Sequence, residues 1–245
     1  MSSPADGPGR LLGDMSGGRV LDVATGTGGF VRVLLDGLRD YAEIVGIDTN
    51  GEREAAFAAA FADAPHVRFA QMDAHRLAYP DASFDTVCVS NSLHHFADPA
   101  PVLAEMLRVL RPGGHFMINE MYRDGQSETQ ATHVELHHWW AAVNRLGGEI
   151  HRETYERAQV VEIVEGLGLA DVRFLDLDDP DEDAHDPEAA ADLEATIDRY
   201  QALAEGHPAL QARGEVLRAR LREVGVRGAT QLLAIGRRPG ARAID

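Results

Sequence analysis

From residue 19 onward, short β-branched runs alternate with stretches whose apolar side chains recur at helical spacing. The runs 19–24 (RVLDVA), 43–48 (EIVGID), 67–73 (VRFAQMD), 84–91 (FDTVCVSN) and 115–121 (HFMINEM) read as strands. Between them, Phe30 to Leu38 places Val31, Leu34, Leu35 and Leu38 on one helical face. Glu52 to Ala64 is an alanine-rich helix closed by Pro65, and Ala100 to Leu110 is a helix stopped by Arg111-Pro112-Gly113-Gly114. This alternation predicts an α/β fold with a parallel sheet covered on both faces. After Tyr122 the rhythm breaks. Residues 123–157 read as helical, Ala158 to Leu167 as a helix ended by Gly168, and 171–177 as a sixth strand. Glu188 to Val224 reads as helical with an interruption at Gly206-His207-Pro208, and 229–238 as a last strand.

The expected organisation follows. Residues 1–18 form an N-terminal tail and short cap, 19–121 a ligand-binding core, and 122–157 a helical lid insertion. Residues 158–245 form the remainder of the core, with a helical insertion at 178–228. The first ten residues lack an apolar run and read as a loose tail rather than a signal peptide.

Composition narrows the chemistry. The net charge of −17 disfavours nucleic-acid partners, whose backbone would be repelled. All 23 basic residues are arginine. The absence of lysine excludes Schiff-base and pyridoxal-phosphate catalysis and the lysine of a phosphate-binding P-loop. No apolar stretch approaches the roughly 20 residues of a membrane helix, so no membrane partner is expected. Cys88 is the sole cysteine and lies inside a predicted strand, which fits a reducing, cytoplasmic setting. The run 176–188 carries eight acidic side chains without EF-hand spacing and reads as a solvated loop.

The chemistry-bearing feature of the core is the turn DVATGTGGF, residues 22–30. It follows a strand as a dinucleotide fingerprint does, yet Gly26, Gly28 and Gly29 do not supply the third glycine of G-x-G-x-x-G. Asp22 stands before the turn, where its carboxylate would repel a pyrophosphate and welcome an ammonium or sulfonium. A dehydrogenase reading fails on both counts. Asp48 closes the second strand, where an acid suits the paired hydroxyls of a ribose. Asp73 follows the third, where a carboxylate can accept from an adenine amino group. All three acids fall at carboxyl ends of parallel strands, the ligand-binding edge of open α/β sheets.

With these residues in register, the chain resembles the class I S-adenosylmethionine-dependent methyltransferases. The likeness rests on VLDVATGTGGF, VGIDTN, AQMDAHRLAYPDASFDTVCVSNSLHHF and EMLRVLRPGGHFMINE, within residues 19–121, and is nearest to the small-molecule branch that includes quinone-biosynthesis enzymes. The resemblance implies a Rossmann-like parallel sheet with an antiparallel last strand, helices on both faces, and S-adenosylmethionine as cofactor. It implies that Asp22, Ala24, Gly26 and Gly28 hold the methionine part and that Asp48, with Thr49, holds the ribose. Asp73 and Ala74, with His75, would meet the adenine, and Asn91 would face the donor. Ala24 stands where many members carry glycine. Ser90-Asn91-Ser92-Leu93 lacks the Pro-Pro-aromatic motif of the DNA amino-methylating branch. The family usually reaches its last strand by a tight hairpin, whereas roughly 50 residues (178–228) intervene here, implying a helical lid or a homodimer surface.

Methyl transfer from a sulfonium is an in-line displacement that positioning can largely catalyse, with a base for OH, NH or thiol acceptors. Histidines are the candidate bases. SLHHF offers His94 and His95, and THVELHHWW (132–140) offers His133, His137 and His138. His94, His137 and His138 are the candidate catalytic residues, acting on a small-molecule acceptor. His133 and His137 share a helix face at i, i+4, a workable two-ligand metal site that Glu120, Glu135 or His151 could complete. The same stretch also reads as an amphipathic lid helix whose histidines hydrogen-bond and whose Trp139 and Trp140 pack, or as a substrate-binding surface. Two alternatives to methyl transfer stand beside it: a metal-assisted or non-methylating S-adenosylmethionine enzyme, and a non-catalytic S-adenosylmethionine-binding protein.

Overall fold

A computed structural model describes residues 12–240, so most of the N-terminal tail and the last five residues lie outside the described residues. Seven strands form one sheet: β1 (Arg19–Val23), β2 (Glu43–Asp48), β3 (Val67–Gln71), β4 (Phe84–Ser90), β5 (Leu110–Met121), β6 (Ala170–Leu177) and β7 (Gln231–Arg237). Their spatial order is β3-β2-β1-β4-β5-β7-β6. β1 to β5 pair in parallel, and β7 runs antiparallel to both β5 and β6. The chain order reverses beside β1, so its carboxyl end borders the crevice where such sheets bind ligands.

The two-residue period of the strands sorts the core into two layers. Leu21 and Val23 of β1, with Phe116 and Ile118 of β5, face α3 (Pro99–Val109) and α5 (Arg157–Gly166), whose Val102, Met106, Val160 and Val164 are buried with them. Val20 and Met117 point the other way, to α1 (Gly29–Gly37) and α2 (Glu54–Ala60), meeting Phe30, Leu34 and Phe57. Pro99 opens α3 behind the N-cap Asp98, whose carboxylate accepts from the Ala100 amide. The Arg111–Gly114 segment is a bulge within β5: Phe84 pairs with Leu110, but Thr86 pairs with His115. A side chain at Gly114 would lie 2.7 Å from the Asp85 carbonyl, so the crossing demands glycine.

Three further helices form a separate layer. α4 (Glu128–Asn144) starts with a capping box between Ser127 and Gln130, and α6 (Pro187–Leu203) and α7 (Pro208–Val224) each begin with proline at the first turn. Their Leu136, Trp139, Ile197, Leu217 and Leu221 make a third apolar cluster. The two insertions therefore pack on each other. Gly214 lets α7 approach α4, for a Cβ there would sit 2.5 Å from the Trp139 ring.

Two expectations are corrected. The helical pattern of 123–157 survives only over Glu128–Asn144 and a 3-10 turn at Arg145–Gly147; Gly148, at φ 83°, turns the chain out of the helix. Most of residues 148–156 then lack regular structure, with Tyr155 bridging Tyr122. The second-strand helix begins as a 3-10 turn at Gly51–Arg53 and ends at Ala60, short of Pro65. No helix among the described residues is long and apolar enough to cross a membrane.

Candidate donor pocket and histidine cluster

A cavity of about 960 Å³ opens at the carboxyl ends of β1 to β4 and gathers Asp22, Asp48 and Asp73 on its wall. Asp22 ends 1% exposed. Thr25 Oγ1 donates to its Oδ2 at 2.6 Å, and the Cys88 thiol donates to its Oδ1 at 3.4 Å. Neither partner is cationic, and burial pushes the Asp22 pKa up to about 6, only partly opposed by these hydrogen bonds.

The turn after Asp22 is built for close approach. Ala24, Gly26 and Gly28 all hold positive φ, at 55°, 58° and 91°. For Ala24 this is the left-handed region that a glycine would enter without strain. A Cβ on Gly28 would fall 2.2 Å from the Phe61 ring. Gly28 is also the N-cap of α1, so the helix N-terminus faces the pocket wall.

Asp48 is braced from two sides. Its Oδ2 accepts from the Gly26 amide at 3.0 Å and its Oδ1 from the Asn50 amide at 2.9 Å. The acid of β2 and the turn of β1 thus share one hydrogen bond. Thr49 lines the same wall. Asp73 accepts from the His75 amide at 2.9 Å and lies 2.8 Å from His75 Nδ1; these contacts lower its pKa and keep it ionised. Ala74 is buried beside it.

Asn91 also lines the pocket, at φ 46°, but its amide is committed to protein partners. Its Nδ2 donates to Gln231 Oε1 at 2.9 Å, and its Oδ1 accepts from the Met121 amide at 2.8 Å. Gln231 Oε1 takes a second donor, Asn119 Nδ2, at 2.5 Å. Asn119 Oδ1 is buried without a hydrogen-bond partner. These side chains form a polar wall where β4 and β5 end and β7 begins. Nothing in the local pattern around Gln231 and Asn119 marks them, because their contact joins residues 112 positions apart.

The candidate histidines fall elsewhere than expected. Neither His94, His137 nor His138 is on the pocket wall; His95 is. The two residues of the HH pair sit in the 3-10 turn Leu93–His95 with ring centroids 4.4 Å apart, and only His95 lines the pocket. His94 is fully buried, its Nδ1 2.5 Å from Glu120 Oε1. The other oxygen of Glu120 accepts from the Ser92 and Leu93 amides, both at 3.1 Å. His95 lies against the pocket with its pKa lowered to about 4, chiefly by burial, and so is neutral near pH 7. His138 turns to Thr154, whose amide donates to its Nε2 at 3.2 Å.

The pair His133 and His137 does not act together. His133 Nδ1 accepts from the Ala229 amide at 3.0 Å. His137 instead meets His94 and His151, with Nε2 to Nε2 separations of 3.1 Å to each. Burial, then the neighbouring rings, lowers the pKa of His137 to about 2 and that of His151 to about 3. Glu135 lies outside this group, paired with Arg213. Tyr122 is buried beside Tyr155 and is absent from the pocket wall. The segment that carries His151 also reaches the pocket, since Gly148, Glu149 and Ile150 form part of its rim.

The sheet order is that of the class I S-adenosylmethionine-dependent methyltransferase fold, and the three strand-end acids line one cavity at its ligand-binding edge. A family model described as a methyltransferase domain matches residues 21–118. It is 47% identical over 103 residues to a demethylmenaquinone methyltransferase of Deinococcus radiodurans, covering 42% of each chain. It is 35% identical over 118 residues to the ubiquinone/menaquinone biosynthesis C-methyltransferase UbiE of Ectopseudomonas mendocina, covering 47% of this chain and 46% of that one. The chain thus matches less than half the length of these curated relatives. Among solved structures, the [4+2]-cyclase SpnF superposes with a TM-score of 0.62 at 22% identity, covering 96% of this chain and 79% of that one. A Haloferax volcanii methyltransferase complex with the activator Trm112 has a TM-score of 0.60 at 23% identity, covering 95% of this chain and 87% of the matched chain. These two likenesses establish the fold.

Proposed function

We propose that the protein binds S-adenosylmethionine in the cavity at the strand ends and transfers its methyl group to a small-molecule acceptor in a cytoplasmic setting. The observation that carries this is Asp22: a buried carboxylate on the pocket wall whose partners are a hydroxyl and a thiol, with no cation paired to it among the described residues. Such a group is costly in the empty protein and finds its counter-charge in a cationic ligand. The ammonium of the donor is that counter-charge. Asp48, held by the Gly26 and Asn50 amides, is oriented to accept from the ribose hydroxyls, and Asp73 from the adenine amino group.

When bound, the donor supplies an electrophilic methyl on a sulfonium. The chain's own work is positioning and exclusion of water. The Gly26–Gly28 turn admits the ligand against backbone, and the Gly148–Ile150 rim covers the opening. His95, neutral near pH 7, can accept a hydrogen bond from an acceptor hydroxyl or amine. The relatives named for quinone methylation match the core, whereas residues 122–228, which cover the acceptor side, lie outside the family match. The choice of small-molecule acceptor is therefore a property of the lid.

Calorimetry with S-adenosylmethionine and S-adenosylhomocysteine tests the reading. Wild type is expected to bind both, and Asp48→Ala to bind at least about tenfold more weakly, the worth of one or two charge-assisted hydrogen bonds. Binding of neither nucleoside by wild type, or unchanged affinity in Asp48→Ala, would overturn it. Release of S-adenosylhomocysteine with an acceptor panel then separates a methyltransferase from a non-methylating enzyme or a binding protein.

A further inference from the structure

The His94, His137 and His151 imidazoles come from three separate segments: the turn after β4, the lid helix α4, and the 148–156 segment that rims the pocket. Their ligand nitrogens all lie within 4.8 Å of one another. His137 Nε2 faces His94 Nε2 and His151 Nε2 at 3.1 Å each. A tetrahedral ion with bonds of 2.0–2.1 Å sets its ligand nitrogens about 3.3 Å apart. Two of the three separations are already close to those of a coordination sphere, and the third lies within 4.8 Å.

The three rings meet nitrogen to nitrogen. A ring nitrogen offers either one N–H or one lone pair. His94 Nδ1 faces Glu120 Oε1, which leaves its Nε2 toward His137. His151 Nδ1 lies 3.0 Å from Asn144 Nδ2, which leaves its Nε2 toward His137 as well. A cation between the rings takes a lone pair from each of the three Nε2 atoms. The Asn144 amide, turned over, then offers Oδ1 to a His151 Nδ1–H. His94 already has the second partner that metal-bound histidines usually have, a buried carboxylate on the other ring nitrogen.

We propose that His94, His137 and His151 form a site for a divalent transition-metal ion of the zinc class, with Glu120 orienting His94, and that the ion fastens the lid helix and the pocket rim to the core. Three protein ligands leave a fourth position for water or another small ligand. The site is separate from the donor-binding acids, so it does not rest on the donor reading. It also differs from the pairing suggested by sequence spacing, since His133 takes no part.

The test uses the full-length protein. Metal-free protein is dialysed against buffered Zn²⁺, and in parallel Co²⁺, and bound metal is counted by mass spectrometry. One ion per chain is expected in wild type and in His133→Gln, with loss of tight binding in His137→Gln and His151→Gln. Saturating Zn²⁺ is expected to raise the wild-type melting midpoint by about 5 °C or more. X-ray absorption at the zinc edge of the wild-type protein counts the imidazole ligands without depending on how any variant folds; three are expected. Sub-stoichiometric zinc in wild type, retention by both His137→Gln and His151→Gln, or fewer than three imidazoles at the edge would overturn the proposal.

Discussion

Asp22→Asn removes the charge of the buried carboxylate and keeps its shape, and the structure sets both the sign and the size of the result. In the folded, ligand-free protein the Asp22 pKa is about 6, against a value of 3.8 for the free side chain. Between these values the folded chain holds a proton that the unfolded chain has released, so stability falls as pH rises. The penalty is absent below about pH 4, grows through the window from pH 4 to 6, and is complete above it. About two pKa units at roughly 1.4 kcal/mol each give about 3 kcal/mol. No discount for solvent screening applies, because the side chain is 1% exposed. The asparagine carries no such penalty, and its carboxamide can still pair with the Thr25 hydroxyl.

Urea denaturation of both ligand-free proteins, at intervals from pH 4.5 to 8, measures the difference. Asp22→Asn is expected to gain on wild type as pH rises, by up to about 3 kcal/mol at pH 7.5, or roughly 6–12 °C in melting midpoint. Saturating S-adenosylmethionine is expected to reverse the order, because its ammonium stabilises the ionised wild-type carboxylate and gains little from the amide. A flat difference across pH, or an Asp22→Asn protein destabilised equally at every pH, would refute the claim that an uncompensated buried charge sits in this pocket. The pairing of lower stability with stronger ligand binding is the signature of a group kept for function.

Three further substitutions probe the surrounding structure. Gly28→Ala combines a φ of 91° with a Cβ 2.2 Å from the Phe61 ring, and is expected to cost about 2–5 kcal/mol in urea denaturation and to weaken donor binding in calorimetry. Gln231→Ala deprives the Asn91 and Asn119 amides of their common acceptor, at a cost of about 2–4 kcal/mol, and is expected to lower turnover more than donor affinity, because the donor acids lie on other strands. Gly214→Val forces α7 off Trp139 and is expected to red-shift tryptophan emission and destabilise the lid layer by about 1–3 kcal/mol.

What the sequence makes legible divides along physical lines. The strands of the core and the positions of Asp22, Asp48 and Asp73 follow from local pattern: alternation marks a strand, and an acid just past it lands on the ligand edge. The Cys88 thiol against Asp22 is not legible, because the contact spans two strands and depends on the parallel register that pairs Asp22 with Cys88. Neither is the polar wall of Asn91, Asn119 and Gln231, which exists only because β7 inserts between β5 and β6. Residues 148–156 carry no proline to end the helical pattern, and Gly148 at positive φ marks the exit.

The histidines show the limit most clearly. Spacing puts His133 and His137 on one face of α4, and they are on one face; but four residues advance a helix about 6 Å, far enough for the two rings to meet different neighbours. His133 reaches the Ala229 amide ahead of β7, while His137 reaches His94 and His151. Helical periodicity fixes a direction around the axis and says nothing about what waits at each height along it. The same holds for His94 and His95, one residue apart in a single turn: one ring enters a buried cluster with Glu120, and the other lines the donor pocket. Because His94 and His95 are neighbours in chain and in space, with ring centroids 4.4 Å apart, whatever holds His94 also places His95. The buried cluster and the cavity wall are therefore two faces of one short turn, and the position of α4 and the geometry of that wall are coupled through it.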